Sequence, residues 1–187
     1  KKLLTKGKKG LLGRTGKPVN PDSRDTEGFT ALFLAVQEGH LEVIKALIEA
    51  GADPCLAGSC HGVTPTCLAA GEGDVRALML LLEKGACANA PSQEGVTPLV
   101  IAAQNGHAPA VQYLVAQRAN VNSCTKEGDS ALVCAARNGH VDVARLLVQK
   151  GADKSRKGQC GRTPLQWVHI KVKDEEKRRE LSTLLRE

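Results

Sequence analysis

Large aromatic side chains are nearly missing from this chain, which has one Trp, one Tyr and two Phe among 187 residues. It is nonetheless 42% hydrophobic, mostly through Ala, Leu and Val. A globular core of this size usually draws on aromatics for buried area. Small aliphatic residues suit thin layers of closely packed helices, so the composition points to a helical repeat. No run of 18 or more apolar residues exists, so no membrane-spanning helix is expected, and no signal peptide is expected either. A disulfide framework is also missing. The seven cysteines, an odd number, are Cys55, Cys60, Cys67, Cys87, Cys124, Cys134 and Cys160. Cys67 and Cys134 fall on helix faces that should be buried. The expectation is reduced thiols in a cytoplasmic or nuclear protein.

Catalytic and cofactor signatures are equally scarce. The segment Gly16-Lys17 invites comparison with a phosphate-binding loop, but Leu11 and Pro18 stand where Gly and Ser/Thr are needed, and no strand precedes it. Cys55, Cys60 and His61 lie close together without a C-x-x-C or a second pair at zinc-ligand spacing. No nucleophile–base pair is implied. We expect no catalytic residues, no cofactor, no metal and no small-molecule substrate.

Charge is present but divided. Residues 1–17 carry seven basic and no acidic side chains, residues 18–149 a net −6, and residues 150–187 a net +5, within a total of +6. The basic pI therefore describes the two ends and not the body. Nucleic acid is not an expected partner, since the basic N-terminal run lacks interleaved aromatics.

Self-similarity is the strongest signal. The strings GFTALFLAVQEGH from Gly28, GVTPTCLAAGEGD from Gly62, GVTPLVIAAQNGH from Gly95 and GDSALVCAARNGH from Gly128 align, and GRTPLQWVH follows from Gly161. The hydroxyl residues Thr30, Thr64, Thr97, Ser130 and Thr163 recur at spacings of 34, 33, 33 and 33. Each suits a helix N-cap, and Pro65, Pro98 and Pro164 stand at the first helical position, where a missing N–H costs nothing. Ala35, Ala69, Ala102 and Ala135 keep the first helix slim. Gly39, Gly73, Gly106 and Gly139 allow a tight turn into a second helix. That helix carries apolar residues at i, i+3 and i+4, as in Val111, Leu114 and Val115. Gly51, Gly85 and Gly151 would end it in the left-handed conformation.

The pattern resembles the ankyrin repeat, with its 33-residue unit and T-P-L-H-x-A signature, over residues 19–187. The resemblance implies an all-α solenoid of stacked helix–turn–helix units with hairpin-like finger loops, in repeats of about 25–58, 59–91, 92–124, 125–157 and 158–187, the last with a polar capping helix. Departures are informative. Arg118 stands where sister repeats have Gly. The signature His is replaced by Phe33, Cys67, Val100, Val133 and Gln166, so the hydrogen bonds it makes in the family should be absent. The fifth repeat lacks the turn glycine, and its stripe Leu181, Leu184 and Leu185 suggests a second helix displaced by four residues. Leu3-Leu4-Thr5-Lys6-Gly7 matches Leu81-Leu82-Glu83-Lys84-Gly85. With no Met at the start, residues 1–18 read as the remnant of an upstream repeat followed by a flexible Gly/Lys-rich insert, in a longer parent chain.

The resemblance further implies partner binding on a concave face of finger tips and first helices. Carried over repeat by repeat, its residues are Phe29, Val63, Val96, Asp129 and Arg162 at the tips, with Glu27, His61, Glu94 and Glu127 two residues earlier. Gln37, Glu38, Glu72, Gln104, Asn105, Arg137 and Asn138 stand on the first helices. Phe29, Val63 and Val96 would form an apolar row. Glu27, Glu38, Glu72, Glu94, Glu127 and Asp129 would line the groove with negative charge, though acidic fingers are also a solvated feature of the family. The leading expectation is a monomeric, non-catalytic module binding a protein or peptide with apolar anchors and basic flanks. The alternative is a regulatory or substrate-recruiting domain of a larger enzyme, such as a ubiquitin ligase, kinase or acyltransferase; a structural spacer is a third reading.

Overall fold

The computed structural model describes residues 20–58 and 61–186. The upstream remnant, the Gly/Lys insert and Cys60 lie outside the described residues. Among the described residues ten α-helices follow in pairs: α1 (Ala31–Gln37) with α2 (Leu41–Glu49), α3 (Pro65–Glu72) with α4 (Val75–Glu83), α5 (Pro98–Asn105) with α6 (Ala108–Ala116), α7 (Ala131–Asn138) with α8 (Val141–Gln149), and α9 (Pro164–Lys171) with α10 (Glu175–Arg186). First helices pack on first helices and second helices on second helices along the stack. The result is the all-α solenoid expected from the repeat.

Each pair starts the same way for a local reason. Thr30, Thr64, Thr97, Ser130 and Thr163 accept hydrogen bonds from the amides of Phe33, Cys67, Val100, Val133 and Gln166. Each such bond satisfies one of the orphan N–H groups of a new helix. The stack can be tight because the first helices carry Ala where they meet their neighbours; Ala69, Ala102 and Ala135 are at most 1% exposed. The larger contribution comes from Leu78, Leu81, Leu99, Leu114, Leu132 and Leu147, all fully buried between layers. Burying each stabilises by roughly 1.5–3 kcal/mol relative to exposure.

Three departures resolve differently from one another. Arg118 takes φ 62°, matching Gly51, Gly85 and Gly151 at φ 101°, 95° and 83°. An exposed L-residue is thus held left-handed, at a cost of roughly 1–2 kcal/mol. Arg118→Gly is expected to raise stability by about 0.5–1 kcal/mol, part of the relief being offset by unfolded-state entropy. Chemical denaturation measures this, and a loss of stability would show that the arginine stem makes a compensating contact.

The fifth repeat corrects the expected four-residue displacement. Its second helix starts twelve residues after the Thr163 cap, against eleven in the other repeats, so its start moves by only one. The stripe moves by four because α10 runs 12 residues where its sisters run 9. Val172 takes the place of the turn glycine, is 7% exposed, and lies against Gly139 of the preceding turn.

The signature-His positions need a smaller correction. Phe33, Val100 and Val133 offer no donor, but the Cys67 thiol lies 3.5 Å from the carbonyls of both Ala90 and Val96 in the next finger. One weak donor thus survives among these four, and at the fifth position Gln166 Oε1 accepts from the Thr163 amide at 2.9 Å.

Candidate functional site

The fingers are turns closed by their own backbone. The amides of Asp25, Ser92, Thr125 and Gly158 donate to the carbonyls of Phe29, Val96, Asp129 and Arg162 at 2.9–3.0 Å. Adjacent fingers are also laced together, with Gln93 N–H donating to His61 O at 3.2 Å and Lys126 N–H to Glu94 O at 3.0 Å. The tip residues therefore sit at fixed heights along the stack, one per repeat.

The residues carried over from the family separate into three groups. Glu27, Gln37, Glu38, His61, Glu72, Glu94, Asn105, Glu127 and Asn138 are exposed; Phe29, Val63, Val96, Gln104, Arg137 and Arg162 are half-buried. Asp129 is buried, at 5% exposure. Among the described residues none of Glu27, Glu38, Glu72, Glu94 and Glu127 forms an ion pair. Their side chains are exposed on the fingers of the first, third and fourth repeats and at the ends of α1 and α3.

Asp129 departs from the expected acidic lining. Its Oδ2 accepts from Arg137 Nη1 at 2.7 Å, and its Oδ1 accepts from the amide of Gln159 at 2.7 Å. The carboxylate pins the fifth finger onto the fourth repeat and offers no free charge to a partner. Phe29 is likewise shared: its ring stacks on Phe33 with centroids 5.4 Å apart.

Asn105 and Asn138 also have structural duties. Asn105 Nδ2 donates to Gly71 O at 2.8 Å, and Asn138 Nδ2 donates to Gln104 O at 2.7 Å. The same two carbonyls accept from His107 Nε2 at 2.9 Å and His140 Nε2 at 3.0 Å, which fixes the proton on Nε2 in both imidazoles. These carbonyls belong to the last turns of α3 and α5 and lack intrahelical partners, so the third and fourth repeats each cap the first helix of the repeat before them. The His140 ring also fills the space beside Gly106, where a Cβ would come 2.6 Å from Nδ1 at φ 80°. Between the first and second repeats Glu72 and Asp74 occupy the corresponding positions and cannot donate, which is why Glu72 remains free.

Trp167 is the residue that sequence reasoning passed over. It stands on α9 where the earlier first helices carry Leu34, Leu68, Ile101 and Cys134, and it is 6% exposed. Arg137 lies over its ring at 5.5 Å from the centroid and Arg162 at 5.0 Å. Its buried Nε1 has no acceptor among the described residues. Its being the only tryptophan, at a position where the sister helices carry smaller side chains, was the available signal.

Burial pushes the Cys134 thiol from 9.0 up to about 12, with the Asp129 carboxylate adding to the effect, and burial likewise raises Cys67. Between pH 9 and 12 the unfolded chain releases the Cys134 proton while the folded chain keeps it. This contribution to stability is complete below the unfolded value and falls with rising pH, by about 1.4 kcal/mol per unit. At about pH 8, iodoacetamide should modify exposed Cys55, Cys87 and Cys160 at once, and Cys67 and Cys134 only as fast as the stack opens. Mass spectrometry of timed samples measures it; equal rates would show that both buried thiols open freely. Cys55 lies 3.5 Å from Gly85 O, and no group of three His, Cys, Asp or Glu side chains that could hold a metal ion is found among the described residues.

The family model for ankyrin repeats, built of three copies, matches residues 2–92 and 67–158. This chain is an ankyrin-repeat protein. The match spans most of the chain, and α9 and α10 of the ankyrin fold lie beyond it. Ankyrin repeats are in general protein–protein interaction modules and typically non-catalytic. No helix among the described residues is long and apolar enough to cross a membrane.

Proposed function

We propose that this ankyrin domain is a non-catalytic interaction module that holds a partner segment with basic flanks and apolar anchors on its finger and first-helix face. One observation carries the reading: the open acidic row of Glu27, Glu38, Glu72, Glu94 and Glu127, which has no cationic partner among the described residues. Beside it, Phe29, Val63 and Val96 leave part of their apolar surface uncovered at successive tips.

The test starts from whichever partner a pull-down with mass spectrometry returns. Single reversals such as Glu72→Lys should each weaken binding by about 0–1 kcal/mol, because exposed pairs are weak. Reversal of Glu72, Glu94 and Glu127 together should abolish measurable binding while the melting temperature stays nearly constant. Asp129 is left out of the set because it is buried and paired. Affinity should also fall with salt, since exposed charges are screened within roughly 10 Å at 0.1 M. Undiminished affinity of the triple variant would move the interface to another surface.

A further inference from the structure

The charge of the finger and first-helix face changes sign along the stack. Over the first three repeats the charged residues at the tip and first-helix positions are Glu27, Glu38, Glu72 and Glu94, with Arg24 and Asp25 exposed beside them on the first finger as a pair of opposite sign. In the fourth, Glu127 stands beside the exposed Lys126 while Asp129 is consumed by Arg137, so the finger is close to neutral. In the fifth, the tip residue is Arg162, and Lys171 at the end of α9 is exposed. The face therefore runs from acidic to basic.

At the basic end the cationic groups are held in place. Arg137 and Arg162 come from different repeats, yet both lie over the Trp167 ring, at 5.5 and 5.0 Å. Trp167 is itself buried, so the platform cannot swing away. A guanidinium held by its face keeps its in-plane N–H fork available for acceptors. Two guanidinium charges share this ring and only one carboxylate, Asp129, neutralises them. Arg162, half-buried, has no hydrogen-bond acceptor for its side chain and no ion-pair partner among the described residues. A half-buried guanidinium has lost part of its hydration and gains most from a charged acceptor that binds its fork.

We propose that Arg162, stacked on Trp167 beside Arg137, is a carboxylate-binding subsite that takes an acidic side chain of the partner segment and so fixes its direction. The inference rests on the reading of this face as the partner surface. A segment with a basic end and an acidic end binds with its basic end on the first three repeats and its acidic end at the fifth. The reversed orientation sets like charges against each other at both ends, which is costly.

Trp167 is the only tryptophan in the chain, so its fluorescence reports on this subsite alone. The probes are a blocked hexaglutamate peptide and inorganic phosphate, titrated at low salt into the full chain with Trp167 emission as readout. A labelled hexalysine peptide is followed separately by anisotropy. Hexaglutamate should shift the emission saturably. Arg162→Gln should weaken that binding about fivefold, the worth of one charge-assisted pair at a partly exposed site. Arg162→Lys should fall between, since it keeps the charge and loses the stacked fork. Circular dichroism of each variant confirms folding. No saturable shift, or equal affinity for wild type and Arg162→Gln, overturns the subsite. Phosphate binding as tight as hexaglutamate overturns its assignment to an acidic peptide segment. Hexalysine separates the two readings. Its failure to bind with hexaglutamate intact removes the acidic-row proposal alone, and the reverse result removes the subsite alone.

Discussion

Deleting residues 158–187 should leave a protein that aggregates. The segment supplies Trp167, Val168, Val172, Leu181 and Leu185, all buried, which cover α7 and α8. Without it, the sides of α7 and α8 that pack on α9 and α10 lose their neighbours. Repeats bury their apolar faces only against adjacent repeats, so stability is close to a sum of unit and interface terms. Removing one unit with its interface should lower the melting temperature by about 10 °C or more, given a few degrees per kcal/mol for a chain of this size. The exposed α7–α8 layer should then drive association. The polar surface of α10, with Glu175, Glu176, Lys177, Arg179 and Glu180 exposed, is what the intact chain presents to water instead. Analytical ultracentrifugation and calorimetry of the truncated chain decide the matter. A truncated protein that stays monomeric with an unchanged melting temperature would falsify the additive-stack account.

The second large effect is expected at Asp129. Asp129→Ala leaves the Gln159 amide without its acceptor and the partly buried Arg137 without its counter-charge. The loss should be about 2–4 kcal/mol. Asp129→Asn keeps the volume and an acceptor for the amide, and should lose less, about 1–2 kcal/mol. Gly158 supplies an internal check. A Cβ there would lie 2.2 Å from Asp129 Oδ1 and 2.9 Å from Val133 Cγ1. Gly158→Ala should therefore expel the carboxylate and be at least as destabilising as Asp129→Ala. The two changes should be strongly non-additive, because the first alanine already removes what the second displaces. A double-mutant cycle by urea unfolding measures the coupling. Additive losses would show that Asp129 and Gly158 act independently and that the fifth finger is held by other contacts.

What sequence reasoning recovered and missed divides by the range of the interactions. The Thr and Ser caps were legible because a cap hydroxyl bonds an amide three residues along the same chain, so the chemistry lies within one short string. The period near 33 was legible because every unit solves the same local problem. Arg118 could be placed left-handed for that reason: the turn it ends repeats in its sisters. The fifth repeat misled the register argument because the apolar stripe marks which helix face is buried and not where the helix begins. Lengthening α10 shifts one without the other.

By itself, the sequence determined that this protein is a stack of helix pairs, where each pair starts and turns, and which residues reach the finger tips. Local hydrogen-bonding geometry and spacing suffice for that. Only the tertiary structure decided which of those tip and helix residues are available to a partner. Asp129 is consumed by Arg137 and by an amide 30 residues on. Asn105 and Asn138 are consumed by carbonyls 34 residues back, while Arg162 stacks on Trp167 and its side-chain donors meet no acceptor among the described residues. Identical positions in consecutive repeats meet different neighbours. A periodic string specifies the position but not the side chain from the next layer that neutralises, covers or leaves it open.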